Sequence, residues 1–104
     1  MTSIEKINEL VQQELKEANE IHPQFHSDHE AWAVIKEETE ECTEALEHLQ
    51  HYMQVMWRGI RADKDIDEWL TFTQRQAMNL AAEAIQVAAM CEKGLARYAD
   101  AKNL

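Results

Sequence analysis

The stretch HEAWAVIKEETEECTEALEHLQ, residues 29–50, decides the fold. Its apolar residues return every three or four positions, as on one face of an α-helix. No glycine or proline interrupts it, and Ala, Glu, Leu and Lys, all good helix formers, dominate it. Glu37, Glu38, Glu40 and Glu41 put four carboxylates within five positions. Either they form one solvated acidic face, or some of them turn inward and hold a metal.

Helical phase, at about 100° per residue, divides them. Ala31, Ile35, Cys42, Ala45, Leu46, Leu49, Met53, Met56 and Ile60 share one face, the expected core stripe. Glu38 falls within that stripe and Glu41 at its edge, beside Val34 and Tyr52. Glu37 is further round, and Glu40 and Glu44 point away. A buried lone carboxylate costs several kcal/mol unless it is paired, protonated or bound to metal. Glu38 and Glu41 are neighbours on the helix surface, and two repelling carboxylates suit a hard cation such as Mg²⁺.

Working outward, three helices are expected. Thr2 and Glu5 form a capping-box pattern ahead of a stripe of Ile4, Ile7, Leu10, Val11 and Leu15, giving a first helix to about Glu20. Pro23 breaks it. Ser27 with Glu30 opens a second helix, which runs to about Gly59. After RGIRADKD (residues 58–65), Asp65 with Glu68 is expected to cap a third helix, to about Tyr98. Helices of roughly 30 residues are about 45 Å long, so the unit should be thin and elongated.

In the third helix, AMNLAAEAIQVAAMC (residues 77–91) is apolar on two sides. Leu80, Ala84, Val87 and Cys91 make one stripe; Met78, Ile85 and Ala89 make another. Both are expected to be buried. Asn79, Glu83 and Gln86 share the remaining face, like one wall of a polar site. Antiparallel packing of the second and third helices would bring Glu38, Glu41, Glu83 and Gln86 together. The plain structural alternatives are an ion pair from Glu38 to a lysine or arginine, and a register-fixing hydrogen-bond network of Asn79, Glu83 and Gln86.

The whole chain of 104 residues bounds the answer to one all-α domain, with only 2 Gly and 1 Pro. A net charge of -10 argues against a nucleic-acid polymer or an anionic membrane as partner. It leaves room for a phosphorylated small molecule if divalent cations intervene. Cys42 and Cys91 read as reduced core thiols, which fits a cytoplasmic protein. The polar start, MTSIEKINEL, has the character of neither a signal peptide nor a membrane span.

Glu37-Glu38-Thr39-Glu40-Glu41 matches EExxE, and Glu83-Ala84-Ile85-Gln86 matches ExxD at its first position. In that order the two motifs resemble those of the all-α nucleoside triphosphate pyrophosphohydrolases, the MazG-like group, over roughly residues 27–98. HEAWAVIKEETEE and LAAEAIQVAAM look most like small phage and prophage members. The resemblance implies a MazG-like four-helix-bundle core of long antiparallel helices, completed by a homodimer or homotetramer. It implies hydrolysis of a (d)NTP to the monophosphate and pyrophosphate. Mg²⁺, or Mn²⁺ in its place, would be held by Glu38, Glu41, Glu83 and position 86, where Gln86 replaces the family aspartate. Glu37 would orient the attacking water or accept its proton. The third helix also carries more apolar surface than two helices of its own chain easily cover, which independently favours association.

Further substrate contacts are expected from Asn79 and from Arg58, Arg61 and Lys64, in this subunit's site or a neighbour's. A basic helix end favoured by the helix dipole is the alternative for the cations. Trp32 is a candidate to stack on a base; Trp32 and Trp57 flank the core stripe, where packing is the competing role. His22, His26 and His29 gather around Pro23 and Asp28, either as a transition-metal site or as a solvated loop. ExxH is absent, which excludes the ferritin-like di-iron pattern. The competing function is a non-catalytic helical dimer that binds a nucleotide or a protein.

Overall fold

The computed structural model describes residues 2–102 and contains, within them, three helices and no strand. They are α1 (Ser3–Ile21), α2 (Asp28–Arg61) and α3 (Asp67–Lys102). α1 begins as its residues require. The Thr2 hydroxyl accepts the Glu5 amide proton at 3.1 Å while the Glu5 carboxylate takes that of Thr2 at 3.0 Å, the reciprocal capping box. The Ser27 hydroxyl likewise accepts from the Glu30 N–H and starts α2.

The third expected cap differs. Asp65 takes the N–H of Asp67, not that of Glu68, and the helix begins at Asp67. α2 also runs two residues past Gly59. It ends in a left-handed turn: the N–H of Asp63 bonds to the Ile60 carbonyl, and that of Lys64 to the Gly59 carbonyl. Asp63 holds the positive-φ position, at 54°. Gly59 lets the chain fold back closely, since a Cβ there would lie 3.2 Å from Ile66 Cγ2.

α3 is the central element. It packs against α2 along the hairpin and against α1, whereas the backbones of α1 and α2 do not meet. Near the turn, Tyr52, Trp69 and Phe72 form an aromatic cluster with centroids 5.6–5.9 Å apart. At the other end the loop between α1 and α2 is tied to α3. Phe25 is buried, the Lys93 ammonium donates to the His22 carbonyl, and Arg97 and Tyr98 bond to Asp28 at 2.8 and 2.7 Å.

The molecule measures 66 × 33 × 20 Å, with a radius of gyration of 18.1 Å. A compact domain of this length would have about 13 Å. The core is correspondingly thin: Val11, Phe25, Ala31, Ala45, Met56 and Ala89 are its buried apolar residues. Much of the expected core is therefore exposed. Leu46, Met53 and Ile60 of α2, Ile4, Ile7 and Leu10 of α1, and Met78, Ala84 and Cys91 of α3 are open to solvent. Periodicity identifies an apolar face but not whether the chain has enough helices to cover it. Both cysteines are free, Cys42 half-buried and Cys91 exposed, so Cys91 is not a core thiol.

Candidate metal centre

The antiparallel α2–α3 pair joins three of the expected carboxylates. Each of Glu38, Glu41 and Glu83 offers an oxygen within 4.8 Å of the others. These are the only described residues whose carboxylate, imidazole or thiol groups converge in this way. Glu38 and Glu41 come from successive turns of α2 and Glu83 from the facing side of α3. Phase on the two helices brings them together, as expected.

The electrostatics are unfavourable for three free carboxylates. Glu38 Oε2 and Glu83 Oε2 are buried without a hydrogen-bond partner. Burial pushes the Glu38 carboxyl above its ordinary range, helped by the charges of Glu41 and Glu37. Glu83 is pushed up to about 7, first by a hydrogen bond to Glu41 that only a protonated carboxyl can donate, then by burial and neighbouring charge. The Cys42 thiol is raised too, by burial and by Glu83, Glu38 and Glu41.

The donor set fits a hard divalent cation. Mg²⁺–oxygen bonds of about 2.1 Å put opposite ligands about 4.2 Å apart, so oxygens within 4.8 Å need to close only slightly. An ion would satisfy the two orphaned oxygens and remove the repulsion.

Beside the cluster, Glu41 and Glu83 open onto a cleft of about 480 Å³ lined also by Glu44, Ala45, His48, Gln76 and Asn79. Asn79 therefore lies where expected, its amide donating to Gln76 Oε1 at 3.5 Å. Gln86 is half-buried one turn beyond Glu83 and does not line this cleft. Glu37 is exposed beside Glu38.

Other expected contacts are not assembled within one chain. Arg58 and Arg61 line a separate hollow with Met53, Gln54 and Trp57, and Lys64 lines another near Trp69. Arg58 lies seventeen positions beyond Glu41 along continuous helix, a rise of about 25 Å. Trp32 is exposed with Lys36 above its ring at 5.7 Å, away from the cleft. His22, His26 and His29 are exposed and do not converge as ligands.

Glu14 of α1 is the participant that sequence reasoning missed. It is half-buried, and its charge raises the pKa of both Glu38 and Glu83. Its signal was available: Glu14 follows Ile7 by seven residues and Val11 by three, on the inward face of α1.

No family model, curated protein or solved structure matches this chain. Among the described residues, no helix is long and apolar enough to cross a membrane.

Proposed function

We propose that this protein is a Mg²⁺-dependent nucleoside triphosphate pyrophosphohydrolase of the MazG-like all-α type, converting a (d)NTP and water to a (d)NMP and pyrophosphate. The observation that carries the proposal is the cluster of Glu38, Glu41 and Glu83, with two buried oxygens lacking partners. The motif resemblance supplies the reaction.

Glu38, Glu41 and Glu83 would hold the ion, and Mn²⁺ would be an acceptable substitute in an all-oxygen set. When bound, the metal would supply Lewis-acid chemistry, stabilising the charge that develops in the reaction and making the attacking water more acidic. Glu37 orients the attacking water and takes its proton. The water oxygen bonds to the α-phosphorus, the bond to the α–β bridging oxygen breaks, and pyrophosphate leaves with that electron pair. Asn79, in the adjoining cleft, contacts the substrate. Arg58, Arg61, Lys64 and Trp32 serve a site only from another copy, within a dimer or tetramer whose helices complete a four-helix bundle.

The test is pyrophosphate release from a panel of NTPs and dNTPs with Mg²⁺ and with Mn²⁺. Wild type should release it from at least one substrate, Glu41→Gln should lose at least about 100-fold, and Gln86→Asp should gain. Release from none of them by folded protein would overturn the proposal. The alternative, a non-catalytic helical dimer that binds a nucleotide or a protein, is favoured by Gln86 and by the distance of Arg58 and Arg61 from the carboxylates.

A further inference from the structure

α1 precedes both motifs in the chain and carries neither. Its seat on the rest of the molecule is narrow. Val11, Glu14, Leu15, Ala18 and Asn19 are its buried and half-buried residues, and they share one face. On that face Val11 lines a groove with Ala88 and Glu92 of α3, and Gln12 Nε2 beside it donates to Glu92 Oε2 at 2.7 Å. Of the charged residues of α1, only Glu14 is not exposed.

A half-buried carboxylate in a docking face costs free energy unless something offsets it. No cation does so for Glu14: the ion pairs among the described residues join Lys36 to Glu40 and Arg97 to Asp28. The charge of Glu14 bears instead on Glu38 of α2 and Glu83 of α3, and every charge acting on those two groups is negative. Asn19 Oδ1, on the same face of α1, is buried without a hydrogen-bond partner. The contact of α1 thus holds an uncompensated charge and an orphaned acceptor, and it forms against repulsion.

A divalent ion reverses the sign of this contact. Ionised, Glu38, Glu41 and Glu83 present three negative charges to Glu14; a divalent cation among them leaves one. Glu14 is not among the three whose oxygens converge, so it acts through space and through water, as outer carboxylates do around a hard cation that keeps part of its hydration.

We infer that Glu14 couples divalent-ion binding to the seating of α1: the ion draws α1 onto the α2–α3 hairpin through Glu14, and without the ion α1 is held loosely. The coupling rests on the metal centre of the proposed function and adds to it a positioning residue from a third helix. By reciprocity, a seated α1 tightens the hold on the ion.

Mn²⁺ alone, without nucleotide, is the probe, at pH 8, above the Glu83 value of about 7. Calorimetric titration reads the affinity, and hydrogen exchange of the α1 amides reads the seating. In wild type, saturating Mn²⁺ should slow α1 exchange by at least about threefold. Glu14→Gln should weaken Mn²⁺ binding about tenfold, slow α1 exchange in the ion-free protein, and leave little further slowing when the ion is added. Glu14→Asp keeps the charge and should hold Mn²⁺ within about threefold of wild type. Glu17→Gln, at an exposed position of the same helix, should change neither quantity. These readouts stand whether or not pyrophosphate is released. Unchanged Mn²⁺ affinity in Glu14→Gln, or wild-type α1 exchange that ignores the ion, would overturn the coupling and leave the three carboxylates as a metal centre. A wild type that binds no Mn²⁺ would overturn both.

Discussion

The ammonium of Lys93, a buried side chain in the last third of α3, donates to the main-chain carbonyl of His22 and sits 4.8 Å above the Phe25 ring. One lysine thus fastens the α1–α2 loop to the central helix by a charge-assisted hydrogen bond and a cation–π contact.

Replacing it separates packing from charge. Lys93→Ala removes both and should lower stability by about 2–4 kcal/mol; Lys93→Met keeps most of the volume and should cost about 1–2 kcal/mol. Urea unfolding at fixed protein concentration measures both. Equal, negligible losses would remove the clamp from the account.

The carboxylate cluster sets a pH dependence whose sign is opposite to the usual acid denaturation. Glu38 and Glu83 have raised pKa values in the fold, so between about 4.5 and 7 the folded chain binds more protons than the unfolded one. Their contribution is complete below the unfolded value and is lost as pH rises through the Glu83 value of about 7. Without divalent cations, the melting temperature should therefore fall from pH 6 to pH 8. Glu83→Gln should flatten that fall.

Mg²⁺ should reverse it. At pH 8, saturating Mg²⁺ stabilises by RT ln(1 + [L]/Kd), about 2.7 kcal/mol at a hundredfold excess over Kd. Glu38→Gln should raise the melting temperature of the metal-free protein, because it removes a repelling charge, and abolish the response to Mg²⁺. Thermal melts with Mg²⁺ and with chelator decide this independently of any catalytic assay.

Asp63 occupies a left-handed conformation at the negative end of the α2 dipole, two costs at one residue. Asp63→Gly should stabilise by about 0.5–1 kcal/mol, and Asp63→Val should destabilise by a similar amount or more. Chemical denaturation of the two variants tests both signs.

These residues also indicate what was legible in the sequence. Thr2 with Glu5 and Ser27 with Glu30 start helices as read, because a cap is decided within four residues. Asp65 misled, since its carboxylate bonds two residues on rather than three, so the helix start slipped. Glu38, Glu41 and Glu83 were legible because phase on long unbroken helices fixes which way a side chain faces. The same straightness separates Arg58 and Arg61 from the carboxylates, a consequence of length rather than of local pattern. Leu46 and Met53 show the remaining limit: periodicity finds an apolar face, but what covers it depends on other elements or other chains.

The central position of α3 also orders the folding of the chain. α2 and α3 meet across a short turn, so their pairing closes a small loop and is entropically cheap. α1 reaches α3 through contacts such as Gln12 with Glu92, separated by 80 positions, and gains nothing until that surface exists. The hairpin is therefore expected to form first and α1 to dock last, with the lowest opening free energy of the three helices. In native-state hydrogen exchange the α1 amides should report partial opening, while those around Ala45 and Ala89 wait for global unfolding.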